Sequence, residues 1–153
     1  MPKVKQIKTD TNTLKFKKLN DNAILPLRST SGSSGYDLSS IHDAIIHPKG
    51  YCEISTGLSV EIPENYVGLI CPRSGSAKKA QVGIVNSPGT IDSDYRGEII
   101  VLLENRGTEV FQVSTEQRIA QMTIVPYFSG TSEFVEELSN TNRNENGFGS
   151  TGK

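Results

Sequence analysis

The sequence predicts an all-β fold, a distorted jelly-roll-like barrel or sandwich with one short helix. Turn signals such as Pro48–Gly50, Pro63–Asn65 and Asn105–Gly107 recur at short, regular intervals, as in sandwiches and barrels. Glycine is frequent, with 14 residues, whereas tryptophan is absent. Apolar residues either alternate with polar ones or form short β-branched runs, which is the pattern of strands.

Each predicted element follows from its own pattern. Leu58–Ile62 alternates strictly before Pro63 and predicts a half-buried strand. Ile99–Leu103 is continuously apolar, which predicts a strand covered on both faces, inside a sandwich or at a subunit interface. Further strands are predicted at Leu14–Leu19, Ile41–His47, Tyr66–Cys71, Val82–Val85 and Ile119–Val125, and one short helix from Ser74 to about Gln81.

Length and composition predict one domain of 153 residues, divided into a barrel (1–128) and a flexible C-terminal arm (129–153). A formal net charge of −1 argues against direct binding of nucleic acid or of an anionic membrane. Cys52 and Cys71 are predicted to be buried free thiols in a reducing compartment. No segment is apolar enough to span a membrane, so we expect a soluble cytoplasmic protein, or a nuclear one if its source is eukaryotic or viral.

Two polar clusters fall beside predicted strands. In Gly35–Ser39, Asp37 either contributes to a site or caps a turn while Tyr36 and Leu38 point inward. In Cys71–Lys79, Arg73 and a hydroxyl begin the predicted helix, where free N–H groups favour an anion. Ser74 as a simple N-cap is the alternative.

A third cluster, Asn86–Glu98, places three acids, a tyrosine, an arginine and an asparagine between two apolar strands. An aspartate in this segment can deprotonate a water, and Asn86 can read the edge of a base through its amide. The alternative is an exposed hairpin held by salt bridges.

In the fourth cluster, Arg118–Met122, alternation places Arg118, Ala120 and Met122 on one face and Ile119 and Gln121 on the other. A buried amide needs a partner. A ligand oxygen or the Asp37 carboxylate would serve Gln121.

The last cluster is the C-terminal segment Arg143–Lys153. Phe148 offers a face for base stacking, Arg143 offers donors for phosphate oxygens, and the glycines allow close approach of the backbone. A disordered polar tail is the alternative interpretation.

Together the five clusters resemble those of one family, the trimeric dUTP pyrophosphatases (dUTPases). The motifs are Gly-Tyr-Asp-Leu, Pro-Arg-Ser-Gly, Gly-Thr-Ile-Asp-Ser-Asp-Tyr-Arg-Gly, Arg-Ile-Ala-Gln-Met and Gly-Phe-Gly-Ser-Thr-Gly, in the family's order and spacing. The resemblance implies Mg²⁺-assisted hydrolysis of dUTP to dUMP and pyrophosphate in a homotrimer with shared active sites. This reaction limits uracil incorporation into DNA and supplies dUMP for dTMP synthesis.

The resemblance also implies residue roles. Asp92 would activate the water that attacks the α-phosphorus, Asp37 would hold Mg²⁺ through water, and Tyr95 would stack on the deoxyribose and exclude a 2′-hydroxyl. The other implied substrate contacts are Arg73, Ser74, Gly75 and Gln121 to phosphates; Asn86, Thr90, Ile91 and Ile100 around the uracil; and Arg143, Phe148, Gly149, Ser150 and Thr151 from the closing arm.

One departure from the family pattern is in the arm. Asn144 and Asn146 stand where the family usually has glycines. Because Asn tolerates left-handed backbone angles, we expect the turn to form and the arm to close more weakly or slowly. Two alternative functions are a dCTP deaminase-like enzyme and a trimeric nucleotide sensor with secondary hydrolysis.

Overall fold

The computed structural model describes residues 13–145 and confirms the all-β class. Within that part of the chain there are eleven strands and one short helix. The elements are β1 (Lys15–Lys18), β2 (Gly35–Ser39), β3 (Ala44–Ile46), β4 (Tyr51–Ser55), β5 (Leu58–Glu61), β6 (Tyr66–Pro72), α1 (Ser74–Ala80), β7 (Val82–Ile84), β8 (Gly89–Ile91), β9 (Ile100–Asn105), β10 (Phe111–Val113) and β11 (Arg118–Pro126).

The strands form four antiparallel sheets. The main sheet has the order β2-β11-β6-β8, a second sheet has the order β4-β9-β7, and β1-β5 and β10-β3 form two-stranded ribbons. The core draws Leu38 and Met122 from the main sheet and Ile54 and Val101 from the second, all at most 1% exposed. Burial of both inner faces against one another is what holds these short strands together.

Every predicted strand is present, and so is the predicted helix. The strands that the sequence did not predict are β2, β4, β8 and β10. Two of them, β8 and β10, have only three residues, which is too short for a period to show. Asp37 lies within β2, so the prediction that it caps a turn is wrong, although Leu38 is buried as expected.

Strand β9 is fully covered on one face only within this chain, so of its two predicted settings the subunit interface stays a prediction. Val101 and Leu103 are 1% exposed, but Ile100, the first residue of β9, is 42% exposed. Within one chain, therefore, the second face of this apolar strand is only partly covered.

The strict alternation predicted for β11 is also wrong at its start. The pairing of β11 with β2 shifts register between Arg118 and Ala120. Ile119 and Ala120 are consequently both buried, at 3% and 0% exposed, although they are neighbours. A bulge of this kind re-aims a side chain, and here the residue affected is Arg118.

Two predictions from composition have simple outcomes. Cys52 and Cys71 are free thiols, but each is half-buried rather than fully buried. Among residues 13–145, helices reach neither the length nor the hydropathy needed to cross a membrane.

Asn105, at the end of β9, is the polar side chain that joins several loops to the core. It is 1% exposed, and its amide donates to the carbonyls of Ile46 (3.0 Å) and Glu109 (2.7 Å) while its Oδ1 accepts from Gly107 N–H (3.0 Å). These bonds fix the turn after β9 to the end of β3.

Replacing Asn105 with Ala should therefore destabilise the fold strongly. The change leaves buried carbonyls without donors, and we expect the free energy of unfolding to fall by about 3 kcal/mol. Urea unfolding at one fixed protein concentration measures this. The exposed Gln112→Ala on β10 is the control, expected within about 0.5 kcal/mol of the parent protein. Equal unfolding midpoints for the two variants would contradict the role of Asn105.

Candidate active site

A pocket of about 350 Å³ lies where the third polar cluster crosses between the two sheets. Strand β8 pairs with β6, whereas β9 pairs with β4 and β7, so residues 92–98 form a loop between sheets rather than the expected hairpin. We call this segment the crossing loop and the cavity the loop pocket. The pocket is lined by Glu53, Ile70, Ile84, Asn86, Gly89, Thr90, Ile91, Asp92, Tyr95, Glu98, Ile100, Val101 and Leu102. Its size is in the range of small-molecule sites.

Tyr95 lies across the crossing loop. Its hydroxyl donates to Glu98 O (3.0 Å) and its N–H donates to Asp92 O (3.1 Å), while the residue remains 44% exposed. A Cβ on Gly97 would overlap the Tyr95 ring, so only glycine at 97 permits this ring position. The loop thereby presents an aromatic face at the pocket.

Arg96 stabilises the crossing loop from within. Its guanidinium donates to Ser93 O (2.7 Å) and Tyr95 O (3.0 Å). The alternative of a loop held by salt bridges is therefore wrong for this arginine, which binds backbone carbonyls.

Asn86, which precedes β8, and Asp92, which follows it, both line the loop pocket. The Asn86 side chain lies over Gly89, where an added Cβ would stand 3.4 Å from Nδ2. Asp92 directly follows β8 and is exposed. An amide and a carboxylate thus border one cavity.

A second polar cluster surrounds Asp37, which has a side chain that is 17% exposed. Arg73 Nε lies 3.2 Å from Oδ1, and Arg118 Nη1 lies 3.0 Å from Oδ2. The Ser29 hydroxyl also donates to Oδ2 (3.0 Å). We call these four residues the Asp37 cluster.

Sequence reasoning missed Arg118 and Ser29 as members of this cluster. Alternation placed Arg118 opposite Gln121, but the register shift after Arg118 brings its guanidinium to Asp37, the direct pairing partner of Gln121. A charged residue at the start of an otherwise apolar strand was the available signal. Ser29 lies in a loop, where no sequence pattern pointed to it.

Gln121 is bound by backbone and not by Asp37. Its Nε2 donates to Pro72 O (3.1 Å), which ties β11 to the segment just before α1. The Asp37 carboxylate is therefore not its partner, and a contact from Gln121 to a ligand oxygen stays a prediction. Gly35 leaves room for this amide, since a Cβ there would lie 2.5 Å from Gln121 Oε1.

The start of α1 differs from the N-cap alternative. Arg73, with φ −80° and ψ 132°, occupies the N-cap position, and Ser74 is the first residue of the helix. Ser74 and Gly75 are both exposed beside Arg73, and space around Gly75 is open.

The register of the main sheet places the Asp37 cluster far from the loop pocket of the same chain. Asp37 pairs with Gln121, which pairs with Cys71, whereas Ile91 before Asp92 pairs with Gly68. Three strand spacings across the sheet and four residues along it separate Asp37 from Asp92, a distance of roughly 20 Å. None of the four residues of the Asp37 cluster lines the loop pocket.

With the geometry described, comparison with known proteins decides the family. The sequence model of the dUTPase family matches residues 21–152. The deoxyuridine 5'-triphosphate nucleotidohydrolase of Nautilia profundicola is 51% identical over 140 residues, covering 92% of this chain and 99% of the relative. The chain belongs to the dUTPase family.

Solved dUTPase structures agree with this assignment. The Staphylococcus bacteriophage 80alpha dUTPase with dUPNHPP has a TM-score of 0.86 at 31% identity, covering 93% of this chain and 99% of that one. A mutant dUTPase from phage phi11 of S. aureus, described with a coordinated structural Mg(II) ion, has a TM-score of 0.78 at 28% identity, covering 82% and 98%. Membership in the dUTPase family decides against the deaminase-like alternative.

Of the site residues predicted in the C-terminal arm, the structure describes only the first. Arg143 is exposed, whereas Phe148, Gly149, Ser150 and Thr151 lie outside the described residues. Asn144 adopts φ 41°, and its Oδ1 accepts from Thr141 N–H (2.7 Å). This positive φ fits the expectation that a turn forms with asparagine at 144; Asn146 lies outside the described residues.

Asp43, whose pKa is shifted, lies outside both the Asp37 cluster and the loop pocket. The Thr115 N–H (2.6 Å) and hydroxyl (2.9 Å) donate to Asp43 Oδ1 and hold the pKa of that carboxyl below its usual value. This contact connects the turn before β11 to the loop before β3.

The contact between Gly35 and Gln121 gives a test of the site's packing. Gly35→Ala should push the Gln121 amide off Pro72 O and lower the free energy of unfolding by about 2 kcal/mol. In a Gln121→Ala background the same change should cost much less, because the obstructing amide is gone. A double-mutant cycle by urea unfolding measures this coupling. Strictly additive costs would show that the two residues do not compete for space.

Proposed function

We propose that this member of the dUTPase family hydrolyses dUTP to dUMP and pyrophosphate. The observation that carries the proposal is the loop pocket, in which an amide, an aromatic ring and a carboxylate border one cavity of nucleoside size. The name of the Nautilia relative and the dUPNHPP-bound phage 80alpha enzyme support the same substrate. In a cell this reaction would limit uracil incorporation into DNA and supply dUMP for dTMP synthesis.

The loop pocket would bind the uracil and the deoxyribose. Asn86 can pair with the edge of the base, together with backbone groups at Ile91 and Ile100, and Thr90 is a further contact. The exposed Tyr95 ring would pack against the sugar and leave no room for a 2′-hydroxyl. Burial of a ribose hydroxyl without a partner would penalise UTP.

Asp92 would act as the general base. It would take a proton from a water whose oxygen forms a bond to the α-phosphorus. The bond from that phosphorus to the α,β-bridging oxygen breaks, and pyrophosphate leaves with the bonding electrons. Such a transfer depends chiefly on positioning and on stabilisation of charge.

The Asp37 cluster would hold the triphosphate. Arg73 and Arg118 present guanidinium donors, and Ser74, Gly75 and Gln121 lie next to Arg73. Donor forks of this kind suit phosphate oxygens. From the arm, Arg143, Gly149, Ser150 and Thr151 would complete the phosphate contacts, and Phe148 would cover the uracil.

The residues at Asp37 fit Mg²⁺ bound through water. Three donors already engage the carboxylate, out of about four sites that it offers, which leaves capacity for a water but little for direct ligation. Among residues 13–145, no group of three or more acidic, His or Cys side chains is placed to hold an ion. When bound with the triphosphate, Mg²⁺ supplies neutralisation of phosphate charge.

We propose further that the site is shared between the chains of a homotrimer. Because Asp92 and Asp37 lie roughly 20 Å apart on one chain, they cannot both contact one α-phosphate with its water. A neighbouring chain can bring its Asp37 cluster to this loop pocket. The partly exposed Ile100 on β9 is a candidate interface residue.

The arm, which we place at residues 129–153, would supply the third contribution. Every described residue from 129 to 145 is exposed, including Phe134 and Leu138 at 107% and 86%. Large apolar side chains this exposed fit a segment that packs on a neighbouring chain. The nucleotide-sensor alternative has no such support from a particular contact in the described residues, so hydrolysis is the function we propose.

Asp92→Asn tests the catalytic proposal. We expect pyrophosphate release from dUTP to fall at least about a thousandfold, because an amide cannot take the proton. Binding of dUMP should remain within a few fold. Asp94→Asn is the matched control, since Asp94 is an exposed acid on the same crossing loop and does not line the pocket. Turnover retained by Asp92→Asn would remove Asp92 from the mechanism.

Mixed trimers test the sharing of sites. Asp92→Asn and Asp37→Asn, each inactive alone, are unfolded together at equal amounts and refolded. If each site combines two chains, random assembly restores about a quarter of the parent activity. Activity no higher than that of the separate variants would mean that each site is built by a single chain.

A further inference from the structure

Glu98 connects the crossing loop to the barrel through two different atoms. Its backbone carbonyl accepts the Tyr95 hydroxyl (3.0 Å), and its side-chain Oε1 accepts Gly57 N–H (2.8 Å). Glu98 also lines the loop pocket. The position of the tyrosine ring is therefore linked, through this one residue, to the turn between β4 and β5.

The barrel side of this link is rigid. Gly57 is buried with φ 67°, and a Cβ there would lie 2.9 Å from Asn20 Cβ and 3.0 Å from Ala23 Cβ. Its carbonyl accepts Leu19 N–H (2.8 Å). A side chain could not be accommodated at this position, so the N–H that Glu98 accepts is held in a fixed place.

The residue that follows Glu98 is fixed as well. Ile99 is 0% exposed, its N–H donates to Leu58 O (2.8 Å), and its carbonyl accepts the Thr56 hydroxyl (2.7 Å). By contrast, the bonds of Tyr95 N–H to Asp92 O and of Arg96 to Ser93 O close within the crossing loop. The Tyr95 hydroxyl thus bonds to the carbonyl of Glu98, the residue through which the crossing loop is bound to Gly57.

We propose that Glu98 is a positioning residue for sugar discrimination. Its carboxylate, bound to Gly57 N–H, fixes the carbonyl that orients the Tyr95 ring, and the ring position sets the preference for deoxyribose over ribose. The proposal rests on the proposed function of Tyr95. It adds the last residue of the crossing loop, which is bound to the barrel at Gly57, as one that determines how closely the ring approaches C2′ of the sugar.

The test compares Glu98→Ala, Glu98→Asp and Glu98→Gln in the full chain. Alanine removes the acceptor, and aspartate keeps the charge but is one methylene too short to reach Gly57. Glutamine keeps an acceptor oxygen at the same reach. Glu64→Ala, in the exposed turn after β5, is the control. The measurement is kcat and KM for dUTP and for UTP, with the melting temperature of each variant.

We expect the ratio of kcat/KM for dUTP to that for UTP to fall about tenfold in Glu98→Ala and Glu98→Asp, and to stay within about threefold in Glu98→Gln. Tyr95→Phe should also lower the ratio. Adding it to Glu98→Ala should lower the ratio little further, because both changes break the same connection from Tyr95 through Glu98 to Gly57. If Glu98→Ala does not fold, comparison of this ratio between Glu98→Asp and Glu98→Gln decides.

An unchanged ratio in Glu98→Asp, with kcat lowered equally for both nucleotides, would overturn the proposal and leave Glu98 a merely structural residue. A parent protein that releases no pyrophosphate from dUTP would instead overturn the proposed function. In that case the same variants are compared by dissociation constants for dUMP and UMP, and an unchanged ratio of those constants again rejects the role of Glu98.

Discussion

The register of the main sheet is the constraint on which the arrangement of the site depends. Asp37, Gln121 and Cys71 pair across three adjacent strands, and this row of paired residues lies four residues along the strands from the position of Asp92. In an antiparallel sheet a slip of one residue would turn every side chain to the opposite face, so burial of Leu38, Ile70 and Met122 holds this register. The hydrophobic core therefore fixes two polar clusters at separate corners of one sheet.

The arginines around Asp37 are held by weak interactions, and this suits a phosphate site. The side chains of Arg73 and Arg118 are 30% and 52% exposed. Ion pairs at such partly solvated positions contribute roughly 0–1 kcal/mol, so exchanging Asp37 for a phosphate oxygen costs little. Asp37 keeps the two guanidinium groups oriented before substrate arrives, which reduces the ordering that binding must impose.

The sequence predicted the fold class and the longer strands better than the short elements. Strands with a clear period, such as β5 and β6, were found, whereas β8 and β10 have too few residues to show one. The bulge at Arg118 was invisible because strict alternation is the only geometry that a pattern of apolar residues encodes. The same limit hid the connection from Glu98 to Gly57, which joins residues 41 positions apart.

Resemblance to the dUTPase motifs named the residues of the site but not their distances. Asn86, Asp92 and Tyr95 are close in sequence, and they line one pocket. Asp37 and Arg73 also come together, because β2 and β6 flank β11. The distance between these two groups depends on register across four strands, which only the structure supplies.

Exposure of Asp92 argues that one chain alone makes a poor catalyst. A carboxylate in open solvent exchanges protons with bulk water, and the charges that develop on phosphate oxygens are screened by a high dielectric. Covering Asp92 requires apolar or polar surface that residues 13–145 of the same chain do not place over it. A neighbouring Asp37 cluster would bring the phosphate donors, and an arm closing over the base would exclude water. The specificity that we propose for Tyr95 and the rate that we propose for Asp92 would then depend on assembly in the same way, because both side chains lie on the loop that assembly would cover.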